Sequence, residues 1–165
     1  MTGVYWKSGE TAASPSVTHK KWRRKDMETQ HPTCALLADR HTAVAEGIRG
    51  MLETAFQAVY MVADLRTLKQ GAGRLLPALI VLDLSLAGRD SKKLMKEIIK
   101  LSPASRLLVL TLHDEATVAR HALQAGAHGV VLKRCIGNDF LPAVDALLQG
   151  EDYVSPDFGL TALIH

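Results

Sequence analysis

Aromatic side chains are scarce, at 5% of the 165 residues, so a core built by this chain is aliphatic. Only two cysteines occur, Cys34 and Cys135. That excludes a disulfide framework and points to a reducing, cytoplasmic setting. No apolar run approaches the ~18 residues of a helical membrane span; the best, 75–82, stops at Asp83. The N-terminus has no apolar segment of the kind that leads a secreted protein.

What is present suits one soluble domain with a real core, since apolar residues make up 47% and charged residues 22% of the chain. The charge is uneven. Residues 1–30 hold six Lys/Arg and three Asp/Glu, and 31–165 hold fourteen of each, so the formal +3 belongs to the first thirty residues. A basic balance of that kind says little about the partners of the neutral remainder.

Residues 1–30 show no apolar period of 2 or 3.6 and are expected to form a disordered basic tail. Residues 19–25 group five Lys/Arg around Trp22, which could meet phosphates, but such short runs are weak motifs and a solvated charge run is preferred. Met27 is an alternative to Met1 as the start. From 31 to 152 the pattern becomes that of a folded domain, with 153–165 expected as a C-terminal linker or tail.

Within 31–152, short apolar runs alternate with helix-spaced apolar stripes. Strands are predicted near 34–38, 58–62, 78–83, 107–111 and 129–132. Between them, the spacing of Val44, Ile48, Met51 and Leu52 predicts a helix over 41–55, and a weaker helix begins at Leu65, with Gly71 and Gly73 expected to end it early. Leu94, Ile98 and Leu101 stripe a third helix, Val118, Ala122 and Leu123 a fourth closed by Gly126, and Phe140, Val144 and Leu147 a fifth closed by Gly150. Strands that are apolar throughout are covered on both faces. Five strand–helix units therefore predict an α/β fold, a doubly wound five-stranded parallel sheet in spatial order 2-1-3-4-5.

In such a sheet, ligands bind beyond the carboxyl ends of the strands. Here those ends carry Asp39 with Arg40, Asp83, Thr111 and Lys133. Each residue alone has an ordinary reading as a loop acid, a helix cap or a surface lysine. Together, two carboxylates, a hydroxyl and an ammonium suit phosphoryl transfer to a carboxylate, with a cation and a lysine drawing charge from the phosphoryl oxygens. A second carboxylate helps to hold Mg²⁺, a metal that prefers oxygen ligands.

The order and spacing of Leu36–His41, Ile80–Ser85, Leu108–Asp114, Ala125–Lys133 and Gly150–Pro156 resemble the response-regulator receiver domain of two-component signalling, most closely its NarL/LuxR-type branch. The fold this implies is the (βα)5 flavodoxin-like receiver fold. The resemblance implies that Asp83 is the phosphoacceptor, that Thr111 and Lys133 sense the phosphoryl group, and that Asp39, Asp83 and the Ser85 backbone carbonyl hold Mg²⁺. It also implies a histidine kinase as partner, with a homodimer or a separate output protein downstream. The expected product is a switch rather than a turnover enzyme, with DNA reached only through an effector domain that does not follow Pro156, and no role at a membrane.

Several residues depart from that pattern. Arg40 stands where the family carries a second acid, and a guanidinium cannot ligate a metal. At ~4 Å from a divalent ion, in an effective dielectric of about 20, it would cost on the order of 8 kcal/mol. Mg²⁺ binding is therefore expected to be weak. Val130 replaces an aromatic residue, and 87–91 replace the usual loop after the phosphoacceptor. His113, two residues past Thr111, is expected at the mouth of the site. One alternative is a degenerate receiver, an interaction module in which Arg40 pairs with Asp83 and replaces the metal. Another is a flavodoxin-like binding protein or small enzyme, disfavoured because no Gly-rich phosphate loop follows the first strand. His113, His121 and His128 fit no metal-ligand spacing, and the two cysteines are expected at opposite ends of the sheet.

Overall fold

A computed structural model describes residues 6–8 and 34–159. The parallel strands are β2 (Cys34–Ala38), β3 (Ala58–Val62), β4 (Leu79–Asp83), β5 (Arg106–Thr111), β6 (Gly129–Leu132) and the two-residue β7 (Tyr153–Val154), while β1 (Trp6–Ser8) is antiparallel. The spatial order is β1-β3-β2-β4-β5-β6-β7. Its central five strands have the expected 2-1-3-4-5 arrangement, and the fold is the receiver-type α/β fold.

Helices α1 (Thr42–Leu52), α2 (Leu65–Leu75), α3 (Ser91–Leu101), α4 (Ala116–Gln124) and α5 (Ile136–Leu148) connect these strands. Alternate residues of each strand face opposite sides of the sheet. Ala35, Leu37, Val81, Leu108, Leu110 and Val131 meet α1 and α5 through Ile48, Leu52, Phe140 and Leu147. Leu36, Ile80, Leu82, Val109, Val130 and Leu132 meet α2, α3 and α4 through Leu68, Ala72, Met95, Ile98 and Ala122. Burial on both sides is why these strands are apolar at every position.

Gly126 and Gly150 close α4 and α5 with φ of 106° and 85°, values that favour glycine. In each case the next residue donates its amide proton back into the helix: Ala127 to the Ala122 carbonyl and Glu151 to the Ala146 carbonyl. Gly71 and Gly73 do not end α2, contrary to expectation. Gly71 is buried, and a Cβ on Gly73 would stand 3.7 Å from Leu101 Cδ2, so packing against α3 carries the helix past its weak formers.

Both proposed boundaries need correction. In the supposed tail, Trp6–Ser8 pair with Met61, Tyr60 and Val59 of β3. At the other end, 153–159 is not a linker. Val154 and Phe158 are buried in the main core, and the buried Ser155 ties down β6, its amide donating to the Val130 carbonyl and its Oγ accepting the Leu132 amide proton. The 19–25 cluster, Met27 and residues 160–165 lie outside the described residues.

Candidate functional site

Each predicted site residue follows a strand or ends one, so the sheet register brings them to one rim. Asp83 closes β4, Thr111 closes β5, Asp39 follows β2 and Lys133 follows β6. Asp39, Asp83 and Thr111 are all buried. Lys133 Nζ lies 3.3 Å from Asp39 Oδ2 and 3.1 Å from Asp83 Oδ1, and its side chain is only 8% exposed.

Asp83 is held by the turn that follows it, a single helical turn over Leu84–Ala87. The Ser85 hydroxyl donates to Asp83 Oδ2 at 2.6 Å, and the Ser85 amide donates to Oδ1 at 3.3 Å. Burial opposes ionisation of Asp83, but Ser85 and Lys133 together outweigh it and hold the carboxyl below its ordinary value of 3.8. At neutral pH this side chain is a charged carboxylate held in a fixed orientation.

A pocket of about 220 Å³ opens beside it, lined by Asp83, Ser85, Gly88, Ser91, Thr111 and His113 among others. Thr111 Oγ1 accepts the His113 amide proton at 3.1 Å, which leaves its own proton able to turn toward a ligand in that pocket. His113 itself is largely exposed at the mouth, as expected. A larger groove of about 550 Å³ runs along the lysine-rich side of α3 and contains none of these groups.

Arg40 does not reach the pocket. It is exposed, and no ion pair of Arg40 forms among the described residues, so the pairing with Asp83 is absent. His41 takes the inward place instead, with Nδ1 3.2 Å from Asp39 Oδ1 and 3.6 Å from Asp83 Oδ2. Its amide donates to Asp39 Oδ1 at 2.8 Å, which fixes the start of α1. The chain bends at residue 40, which leaves Arg40 in solvent and brings His41, at the start of α1, back over the two acids. Its place two residues after Asp39, in the loop at the strand end, was the signal by which His41 could have been found.

Among the described residues, one group of His, Cys, Asp or Glu side chains could hold a metal: Asp39, His41 and Asp83, each with a donor atom within 4.8 Å of the others. His128 has a structural role. Its Nδ1 accepts the Leu107 amide proton, and burial together with the Arg106 charge pushes its pKa below 6.5. Cys34 and Cys135 form no disulfide with each other. On α4 and α5, Ala122, Ala143 and Leu147 are core residues, whereas Leu123 and Leu148 are partly buried. Among the described residues no helix is long and apolar enough to cross a membrane.

The family model for the response regulator receiver domain matches residues 35–145. Fimbriae Z protein of Salmonella typhimurium is 32% identical over 124 residues, covering 74% of this chain and 59% of its own. Oxygen regulatory protein NreC of Staphylococcus carnosus is 27% identical, covering 73% of this chain and 57% of its own, so the chain spans a little over half the length of these relatives. Among solved structures, a LuxR-family two-component response regulator from Aurantimonas sp. SI85-9A1 superposes with a TM-score of 0.70 at 28% identity, covering 78% of this chain and 93% of that one. The isolated receiver domain of RcsB from Salmonella enterica gives 0.67 at 27% identity, covering 79% and 97%. With that match spread over two buried acids, a strand-end threonine and a bridging lysine, the chain belongs to the response regulator receiver domain family.

Proposed function

We propose that the chain is a signalling receiver that accepts a phosphoryl group on Asp83 from the phosphohistidine of a histidine kinase. The observation that carries this reading is Asp83 itself, buried yet opening on a pocket shared with Thr111 and held ionised by Ser85 and Lys133. An Asp83 oxygen forms the new bond to phosphorus. The bond from phosphorus to the donor's imidazole nitrogen breaks, and its electron pair stays on that nitrogen. Lys133 offsets the charge of the phosphoryl oxygens, and the Thr111 hydroxyl donates to one of them.

The donor set fits a divalent cation, since each of Asp39 and Asp83 keeps one oxygen on the side away from Lys133. Bound there, with the Ser85 carbonyl as the family resemblance implies, Mg²⁺ would supply further charge neutralisation at the phosphoryl oxygens. Arg40 brings no oxygen to this set, so Mg²⁺ binds weakly. The acyl phosphate then alters contacts with a second copy or an output protein.

Intact-mass measurement after incubation with acetyl phosphate tests the reading. Wild type gains one phosphoryl group and Asp83→Asn gains none. A wild type that never takes up phosphoryl, or an adduct that survives Asp83→Asn, overturns it.

A further inference from the structure

Each buried carboxylate of the site is held from two sides. Asp39 Oδ2 and Asp83 Oδ1 face the Lys133 ammonium at 3.3 and 3.1 Å. The other two oxygens, Asp39 Oδ1 and Asp83 Oδ2, face His41 Nδ1 at 3.2 and 3.6 Å. Lys133 thus answers half of this oxygen set; on the other half Asp83 Oδ2 accepts from the Ser85 hydroxyl at 2.6 Å and Asp39 Oδ1 from the His41 amide at 2.8 Å, and the imidazole faces both oxygens.

Those separations have the size of the edges of a coordination polyhedron. With bonds of ~2.1 Å, neighbouring donors lie about 3.0 Å apart in an octahedron and about 3.4 Å apart in a tetrahedron. The His41 amide is anchored on Asp39, so the ring starts from a fixed backbone. The ring is 55% exposed, which leaves a path for an ion and room for water ligands. Arg40, the nearest cation in sequence, is turned outward.

We propose that His41 is a metal ligand of this chain, and that Asp39, His41 and Asp83 form a dicarboxylate–imidazole site that prefers Mn²⁺, Co²⁺ or Zn²⁺ to Mg²⁺. The inference rests on the receiver reading of the same pocket. Mg²⁺ is a hard ion that takes oxygen donors and gives up water reluctantly. Imidazole suits first-row transition ions, whose affinities for a mixed nitrogen and oxygen site rise from Mn²⁺ toward Cu²⁺. A site that lacks the second acid and offers an inward-facing histidine therefore weakens Mg²⁺ more than it weakens those ions.

The test is calorimetric titration of the full-length, metal-free protein with Co²⁺ and with Mg²⁺, together with the visible absorption of bound Co²⁺. Co²⁺ is expected to bind at least about tenfold more tightly than Mg²⁺, and His41→Ala is expected to remove most of that preference. Mg²⁺ affinity should change far less, and the Co²⁺ bands of the nitrogen-ligated site should disappear. His41→Gln, which keeps a polar side chain of similar reach, should behave like His41→Ala, and far-ultraviolet circular dichroism confirms that both are folded. Equal affinity for the two ions in wild type, or a preference that survives both substitutions, overturns the proposal. Acetyl phosphate labelling separates it from the underlying reading. Labelling of Asp83 with no effect of His41 on metal choice removes this inference alone, whereas the expected metal preference without labelling supports the site and removes the phosphoacceptor role.

Discussion

The two flanks of the Asp39–Asp83 pair are built differently. On one flank Lys133 is almost wholly buried and contacts both carboxylates at 3.1–3.3 Å. On the other, His41 is 55% exposed, stands somewhat farther from Asp83, and has an outward-facing Arg40 beside it. The first is a buried counter-charge shared by both acids. The second is a more open flank, where an exposed imidazole faces the same two acids. On this comparison, stability is expected to depend more on the Lys133 side and choice of cation on the His41 side.

Removing the buried counter-charge should have the largest effect. Lys133→Met leaves two buried carboxylates with one partner fewer, and should lower unfolding free energy by about 3 kcal/mol in metal-free denaturant titrations. A loss no larger than that of His41→Ala would break the comparison. Next comes the acid limb of stability. Because folding lowers the pKa of Asp83, its contribution is fully present above the unfolded value near 3.8 and is lost as pH falls through the lower folded value. Without Lys133 the folded value rises, so in Lys133→Met the acid loss should begin at a higher pH, read from melting temperature against pH. The smallest effect is expected at Arg40. Arg40→Ala removes an exposed side chain and should change unfolding free energy by less than about 0.5 kcal/mol. A larger loss would mean that Arg40 belongs to the site after all.

The middle of the chain was legible because burial on both faces of a parallel sheet leaves a plain trace. The expected bounds of β2, β3 and β6 coincide with those observed, and β4 and β5 differ by one residue at the start. The strand-end groups followed from that, since register alone brings Asp39, Asp83, Thr111 and Lys133 to one rim. What escaped depends on distant partners. Trp6–Ser8 are too few to show a period, and their strand exists through pairing with β3. Phe158 carries no local sign that it fills the core. The α2 glycines were read by propensity, but packing on α3 decides there. Asp64 illustrates the limit on acids near strand ends. It too caps a helix, accepting from the Thr67 amide at 2.8 Å, and its carboxyl is held below its ordinary value chiefly by that bond, yet it is exposed and far from Lys133 in role. Composition does not separate it from Asp83; surroundings do.

The strand order also bears on how the molecule is assembled in time. From β4 onward, spatial order repeats chain order, with β4, β5, β6 and β7 laid side by side. From β2 onward, a chain leaving the ribosome can therefore add each strand to an edge that is already standing, and only the step from β3 to β4 must cross over β2. The last pieces delivered are Val154 and Phe158, which complete the side of the core covered by α2, α3 and α4. That side is already covered by the three helices, and its packing is completed only when these two residues arrive. Interruption of synthesis just before Tyr153 would thus release a sheet whose β6 edge is unpaired and whose core lacks Val154 and Phe158.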